Sequence, residues 1–127
     1  MEKTKSIDIQ IISDSKIFYL SLQTVLSSLP GINTIVVVSS LPFLEGENSF
    51  DFFIIDADSQ KVSIEDIVSF SKRLKWDSRM MIVTNSIKKL ESLKKLSSIS
   101  PILKNMISSQ YLKTNINLNF SMNYSKE

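Results

Sequence analysis

Cysteine and histidine are both missing from the 127 residues. Without cysteine there is no disulfide, no thiolate metal site and no thiol nucleophile. Without histidine, a serine–histidine triad and an imidazole-ligated zinc site are excluded as well. Glycine occurs only at Gly31 and Gly46. A GxGxxG turn and a Walker-A loop each need more than that, so the common nucleotide cradles are excluded. No sign of charge dominates: 15 basic and 13 acidic residues leave a net +2. A polyanion binder needs a dense basic face, so direct nucleic-acid binding is not expected. No apolar run approaches a membrane span. The segment from Met1 to Lys5 lacks the apolar core and cleavage site of a signal peptide. A cytoplasmic chain without membrane contact is expected. Carboxylates, hydroxyls and lysines remain as the available chemistry.

Hydrophobic residues make up 43% and charged residues 22%, the balance of a soluble globular protein. The length predicts one domain over residues 1–127, with a core of about 7–113 and a tail of 114–127. Ile7 to Ser13 alternates and then turns apolar, as a strand entering a core does. Asp14 ends it and is placed to cap the first helix. Phe18, Leu22, Val25, Leu26 and Leu29 recur at helical spacing, and Pro30-Gly31 stops that helix. Ile32 to Val38 is a β-branched strand. Leu41 to Gly46 predicts a short second helix, and Phe50 to Ile55 a third strand followed by Asp56. Ser63 to Asp66 resembles a capping box, opening a helix striped by Ile64, Ile67, Phe70 and Leu74. Met80 to Val83 is a fourth strand ending at Thr84.

Ile87, Leu90, Leu93 and Leu96 mark another helix. Its Lys88, Lys89, Lys94 and Lys95 read as a solvated face, or alternatively a charged docking face. Trp76, between Lys75 and Asp77, reads as a partly buried loop aromatic. Ile99 to Leu103 is a fifth strand, interrupted by Pro101 and ending at Lys104. Proline belongs at a sheet edge or a strand start, and the fifth strand is the outer one. In the tail two periods compete. Ile116, Leu118, Phe120, Met122 and Tyr124 alternate as in a strand, while Leu112, Ile116, Phe120 and Tyr124 sit at helical spacing. The expectation is a short helix from about Ser108 and then an extended or frayed, irregular tail. An added strand on this sheet or on a second chain's edge is the competing reading.

Strands alternating with helices imply a parallel sheet covered on both faces, and right-handed crossovers leave a doubly wound α/β fold. The expected sheet has five strands in the order 2-1-3-4-5. Such sheets bind ligands outside the carboxyl ends of their strands. Asp14, Asp56, Thr84 and Lys104 all fall there.

Over about residues 7 to 113 the chain resembles the receiver domain of bacterial two-component response regulators. Ile9 to Phe18 looks like the first strand and acidic turn, and Asp51 to Asp56 like the third strand ending in a phosphoacceptor. Met81 to Thr84 looks like the strand with the phosphate-sensing hydroxyl, and Ile102 to Asn105 like the strand with the lysine. The resemblance implies a flavodoxin-like fold and a phosphoryl group accepted on Asp56. Magnesium would be held by Asp14, Asp56 and the backbone carbonyl of Asp58. Lys104 and Thr84 would contact phosphoryl oxygens, and Thr84 would pull the following loop inward. A histidine kinase or other phosphodonor is the implied partner, together with an output domain, a protein partner or a homodimer. No enzymatic activity is expected beyond self-phosphorylation and self-dephosphorylation at Asp56. The chain ends without a helix-turn-helix, so an output module of that kind is expected elsewhere or not at all.

The chain departs from the family pattern at several positions. Ser13 stands where a second acid is usual, removing one carboxylate from the magnesium set. Pro101 replaces the rotating aromatic, Asn85 replaces a small residue, and Asp58 adds a negative side chain two positions after the acceptor. Ser59-Gln60 stands in the region of the usual Met-Pro, and the second helix is shortened. These departures define an alternative: a pseudo-receiver used as a phosphorylation-independent interaction or dimerisation module. A flavodoxin-like cofactor binder is disfavoured, because no glycine-rich or hydroxyl-rich loop follows the first strand.

Overall fold

A computed structural model describes residues 6–41, 50–74, 79–96 and 101–124, those from 117 onward by backbone alone. Five parallel strands form one sheet: β1 (Ile7–Ile12), β2 (Ile32–Val38), β3 (Phe52–Asp56), β4 (Arg79–Thr84) and β5 (Pro101–Leu103). Their order is β2-β1-β3-β4-β5, the expected flavodoxin-like order. Four helices accompany them: α1 (Lys16–Ser27), α2 (Ile64–Arg73), α3 (Ile87–Lys94) and α4 (Ser109–Tyr124). A single 3-10 turn, Lys104–Met106, leaves β5. The expected short helix after Leu41 lies outside the described residues, as does Trp76. No helix among the described residues is long and apolar enough to cross a membrane.

The strands are apolar on both faces because both faces are covered. On one face Ile9, Ile11, Phe52 and Ile54 pack with Leu22 and Leu26 of α1 and with Leu112 and Ile116 of α4. On the other, Ile12, Phe53, Ile55 and Ile82 pack with Ile67 and Phe70 of α2 and with Leu93 of α3. Phe53 and Phe70 meet edge to face at 5.1 Å. Burying each such side chain is worth about 1.5–3 kcal/mol. All five residues of β3 are buried, so the strand is fixed from end to end. Its last residue, Asp56, inherits that rigidity.

Local signals set the boundaries. Gly31 takes a positive φ of 88° after α1, where a side chain would be strained. Ser63 and Asp66 exchange both bonds of the capping box that opens α2. The cap of α1 is Ser15 rather than Asp14, since the Ser15 hydroxyl accepts from the Phe18 amide. Pro101 begins β5 at the edge of the sheet, where its missing amide hydrogen interrupts least.

The tail differs from the expected extended or frayed segment, and from the added strand: α4 runs without interruption to Tyr124. Leu112 and Ile116, four residues apart, are both buried beside α1. Packing of that pair favours the helical period over the alternating one, because asparagine prefers neither.

Candidate functional site

The carboxyl ends of β1, β3, β4 and β5 bring the polar residues to one edge of the sheet. Asp56 closes β3 and is only 1% exposed. Both of its oxygens are engaged. Oδ2 accepts the Ser13 hydroxyl at 2.7 Å. Oδ1 accepts the Asp58 amide at 2.9 Å and faces the Lys104 ammonium at 2.9 Å. Lys104 reaches inward from the first position of the turn after β5 and lies 4.5 Å from the centre of the Phe18 ring. Its side chain is 12% exposed, so this is a largely desolvated ion pair with an aromatic wall.

Asp58 gathers the donors of the β4 end. Its Oδ1 accepts the Thr84 hydroxyl at 2.6 Å, and its Oδ2 accepts the Asn85 amide at 2.7 Å. Lys104 lies 3.4 Å from Oδ2, and Lys89 3.8 Å from Oδ1. Burial pushes the Asp58 carboxyl up, but the Thr84 hydroxyl, the Asn85 amide and the Lys104 ammonium together hold it below the ordinary aspartate value. The same contacts tie down the β4–α3 loop. Thr84 Oγ1 accepts the Ser86 amide at 3.0 Å, Ser86 caps α3, and Lys89 donates to the Ala57 carbonyl at 2.7 Å.

Four of the residues picked from sequence therefore meet: Asp56, Asp58, Thr84 and Lys104. Asp14 bonds instead to the next residues of the β3–α2 loop. It is exposed, its Oδ2 accepts the Gln60 amide at 2.9 Å, and its own amide donates to the Ser59 hydroxyl at 3.0 Å. Among the described residues no three acids are grouped to hold a metal ion. The donors a magnesium ion would take from Asp56 are already given to a hydroxyl, an amide and an ammonium. To take up magnesium, which uses one or two carboxylates and several waters, Asp56 would have to give up these partners.

Sequence reading missed three participants. Ser13 registers as a lost acid, yet its hydroxyl is a partner of Asp56 and also accepts the Ser15 amide at 3.1 Å. Lys89 belongs to a stretch read as a solvated or docking face, but the first turn of α3 aims it back at Ala57 and Asp58. The available signal was its place three residues after the helix cap. The Asn85 contact runs through its backbone amide, which no side-chain motif announces.

No family model matches the chain, and no curated protein matches it. Solved structures share the fold. Response regulator ChrA of a heme-sensing two-component system superimposes with a TM-score of 0.68 at 16% identity, over 91% of this chain and 57% of that one. A fusion carrying the yeast Spc42 trimeric coiled coil, amino acids 181–211, gives a TM-score of 0.70 at 13% identity, over 98% of this chain and 84% of that one. These likenesses establish a fold shared with a response regulator.

Proposed function

We propose that this chain is a receiver-like signalling module whose pocket is closed by its own side chains, and that it works through protein contacts without taking up a phosphoryl group. One observation carries the reading. Asp56 is buried, with both carboxylate oxygens held by Ser13, Asp58 and Lys104. These contacts engage most of the roughly four lone-pair sites of the carboxylate, and an attacking carboxylate also needs a route for the donor, which burial denies it. The rim of the pocket supports a contact role. Ile17, Ile87 and Met106 are 83%, 62% and 62% exposed on the first turns leaving β1, β4 and β5. A protein partner or a second copy of the chain is the class of ligand we assign to this edge of the sheet.

The competing reading is the phosphoacceptor switch, favoured by the meeting of Lys104, Thr84 and two aspartates at one strand edge. There an Asp56 oxygen would attack phosphorus while the donor's oxygen–phosphorus bond breaks, with Lys104 neutralising charge and a divalent metal assisting.

Intact mass after incubation with acetyl phosphate and saturating magnesium separates the two. The closed-pocket reading expects no added phosphoryl mass. A single phosphoryl adduct that disappears in Asp56→Asn would replace it with the switch.

A further inference from the structure

The Asp58 carboxylate sits in a set of donors that differ in kind and converge from different elements. They are a hydroxyl from the end of β4, a backbone amide from the loop after it and an ammonium from beyond β5, with a second ammonium nearby. A neutral side chain would not need such a set. Hydroxyl, amide and lysine arranged around one anionic group form an oxyanion cradle. Asp58 fills it from the β3–α2 loop, two residues after Asp56.

We propose that Asp58 is a built-in ligand: its carboxylate occupies an oxyanion site formed by Thr84, Asn85 and Lys104 and holds the β4–α3 loop in its anion-bound arrangement. This deepens the closed-pocket reading and rests on it. A free tetrahedral oxyanion, phosphate being the simplest, would need the space and the donors that Asp58 already holds. Like-charge repulsion would further exclude it. The domain would then present one loop conformation permanently, with no donor molecule required. The Ser86 cap and the Lys89 contact with Ala57 extend that constraint to the start of α3.

Inorganic phosphate is the probe, titrated at constant ionic strength into wild type, Asp58→Ala and the double variant Asp58→Ala/Thr84→Ala. The Asn85 and Ser86 amide resonances are followed throughout. Wild type should show no saturable shift. Asp58→Ala should show faster amide exchange at Asn85 and Ser86, and should bind phosphate at least about tenfold more tightly than wild type, because a like charge has left a charge-assisted site. Phosphate should restore the slow exchange, and the double variant should lose both effects. Asp58→Ser keeps a polar side chain in the turn and replaces Asp58→Ala if the latter does not fold. Equal phosphate responses in wild type and the Asp58 variant would overturn the assignment. So would phosphate binding that is unaffected by Thr84→Ala. No phosphoryl donor is present, so the result is independent of the mass experiment: an adduct there ends the closed-pocket reading, while the titration alone decides what Asp58 occupies.

Discussion

The two sides of the pocket are built differently. On the β1 side the acids are thinned: Ser13 stands beside Asp56, and Asp14 is exposed and bonded to the Gln60 amide. On the β4–β5 side the donors are complete: Thr84, the Asn85 amide, Lys104 and Lys89 all surround Asp58. The β1 side pairs Asp56 with a neutral hydroxyl, while the donors of the β4–β5 side are satisfied by an internal carboxylate. Buried polar groups must be paired. Once an internal carboxylate supplies the pairing, the donor side is stable without any external ligand.

The strongest break is at Lys104, which serves both aspartates. Lys104→Met keeps an unbranched side chain of similar length but removes the ammonium over the Phe18 ring and leaves buried Asp56 without its counter-charge. Breaking a buried pair from one side costs about 3–5 kcal/mol. Urea unfolding at neutral pH should show a loss of that size. A loss below about 1 kcal/mol would mean that the Ser13 and Asp58 bonds hold Asp56 without the ammonium.

Ser13→Asp sharpens the comparison from the other side. A second carboxylate about 4 Å from Asp56, at an effective dielectric near 20, costs roughly 2–4 kcal/mol. Magnesium should bind the variant and recover part of that loss through linkage. Wild type should gain no stability from the same magnesium. The check is a pair of urea curves for each protein, with and without millimolar magnesium. Equal gains in both would show that the acid side already suffices for the metal.

Much of this was legible beforehand, for reasons tied to particular residues. The parallel doubly wound sheet follows from alternating elements and its strand order from the family resemblance, and Asp56, Thr84 and Lys104 could be placed because each ends or directly follows a strand. Pro101 on an edge strand follows from its missing amide hydrogen, although the sequence pattern runs that strand from Ile99 through the proline. The tail was not legible, because helical and alternating periods share Ile116, and only burial of the Leu112–Ile116 pair against α1 decides between them. Nor was the direction of the Asp58 carboxylate. Sequence shows an extra negative charge two residues after Asp56. That it turns to Thr84 and the Asn85 amide is a property of how two loops meet, and one of the two contacts is backbone. Lys89 was hidden for a similar reason, since its neighbours Lys88, Lys94 and Lys95 suggest a uniform face.

The smallest expected effect is on pH dependence, and it concerns Asp58 alone. Its carboxyl is held below the ordinary aspartate value by the Thr84 hydroxyl, the Asn85 amide and Lys104, against the opposing effect of burial. The charged groups facing it are Lys104, Lys89 and, through Lys104, Asp56. A group whose folded pKa is depressed adds stability that is present above its unfolded value and lost as pH falls through the folded one. For aspartate the unfolded value is about 3.9. Asp58→Asn keeps an oxygen for Thr84 or Asn85 but drops the charge, so its cost at pH 7 is on the order of 1 kcal/mol. That cost should hold steady from pH 7 to about 5 and shrink as pH falls below about 4, because the unfolded wild-type carboxylate is protonated first and the folded one only at lower pH. Urea midpoints of the two proteins at several pH values give the difference directly. A difference that does not change below about pH 4 would show that the Asp58 charge adds nothing to the fold, and that its hold on the loop is one of shape and hydrogen bonding.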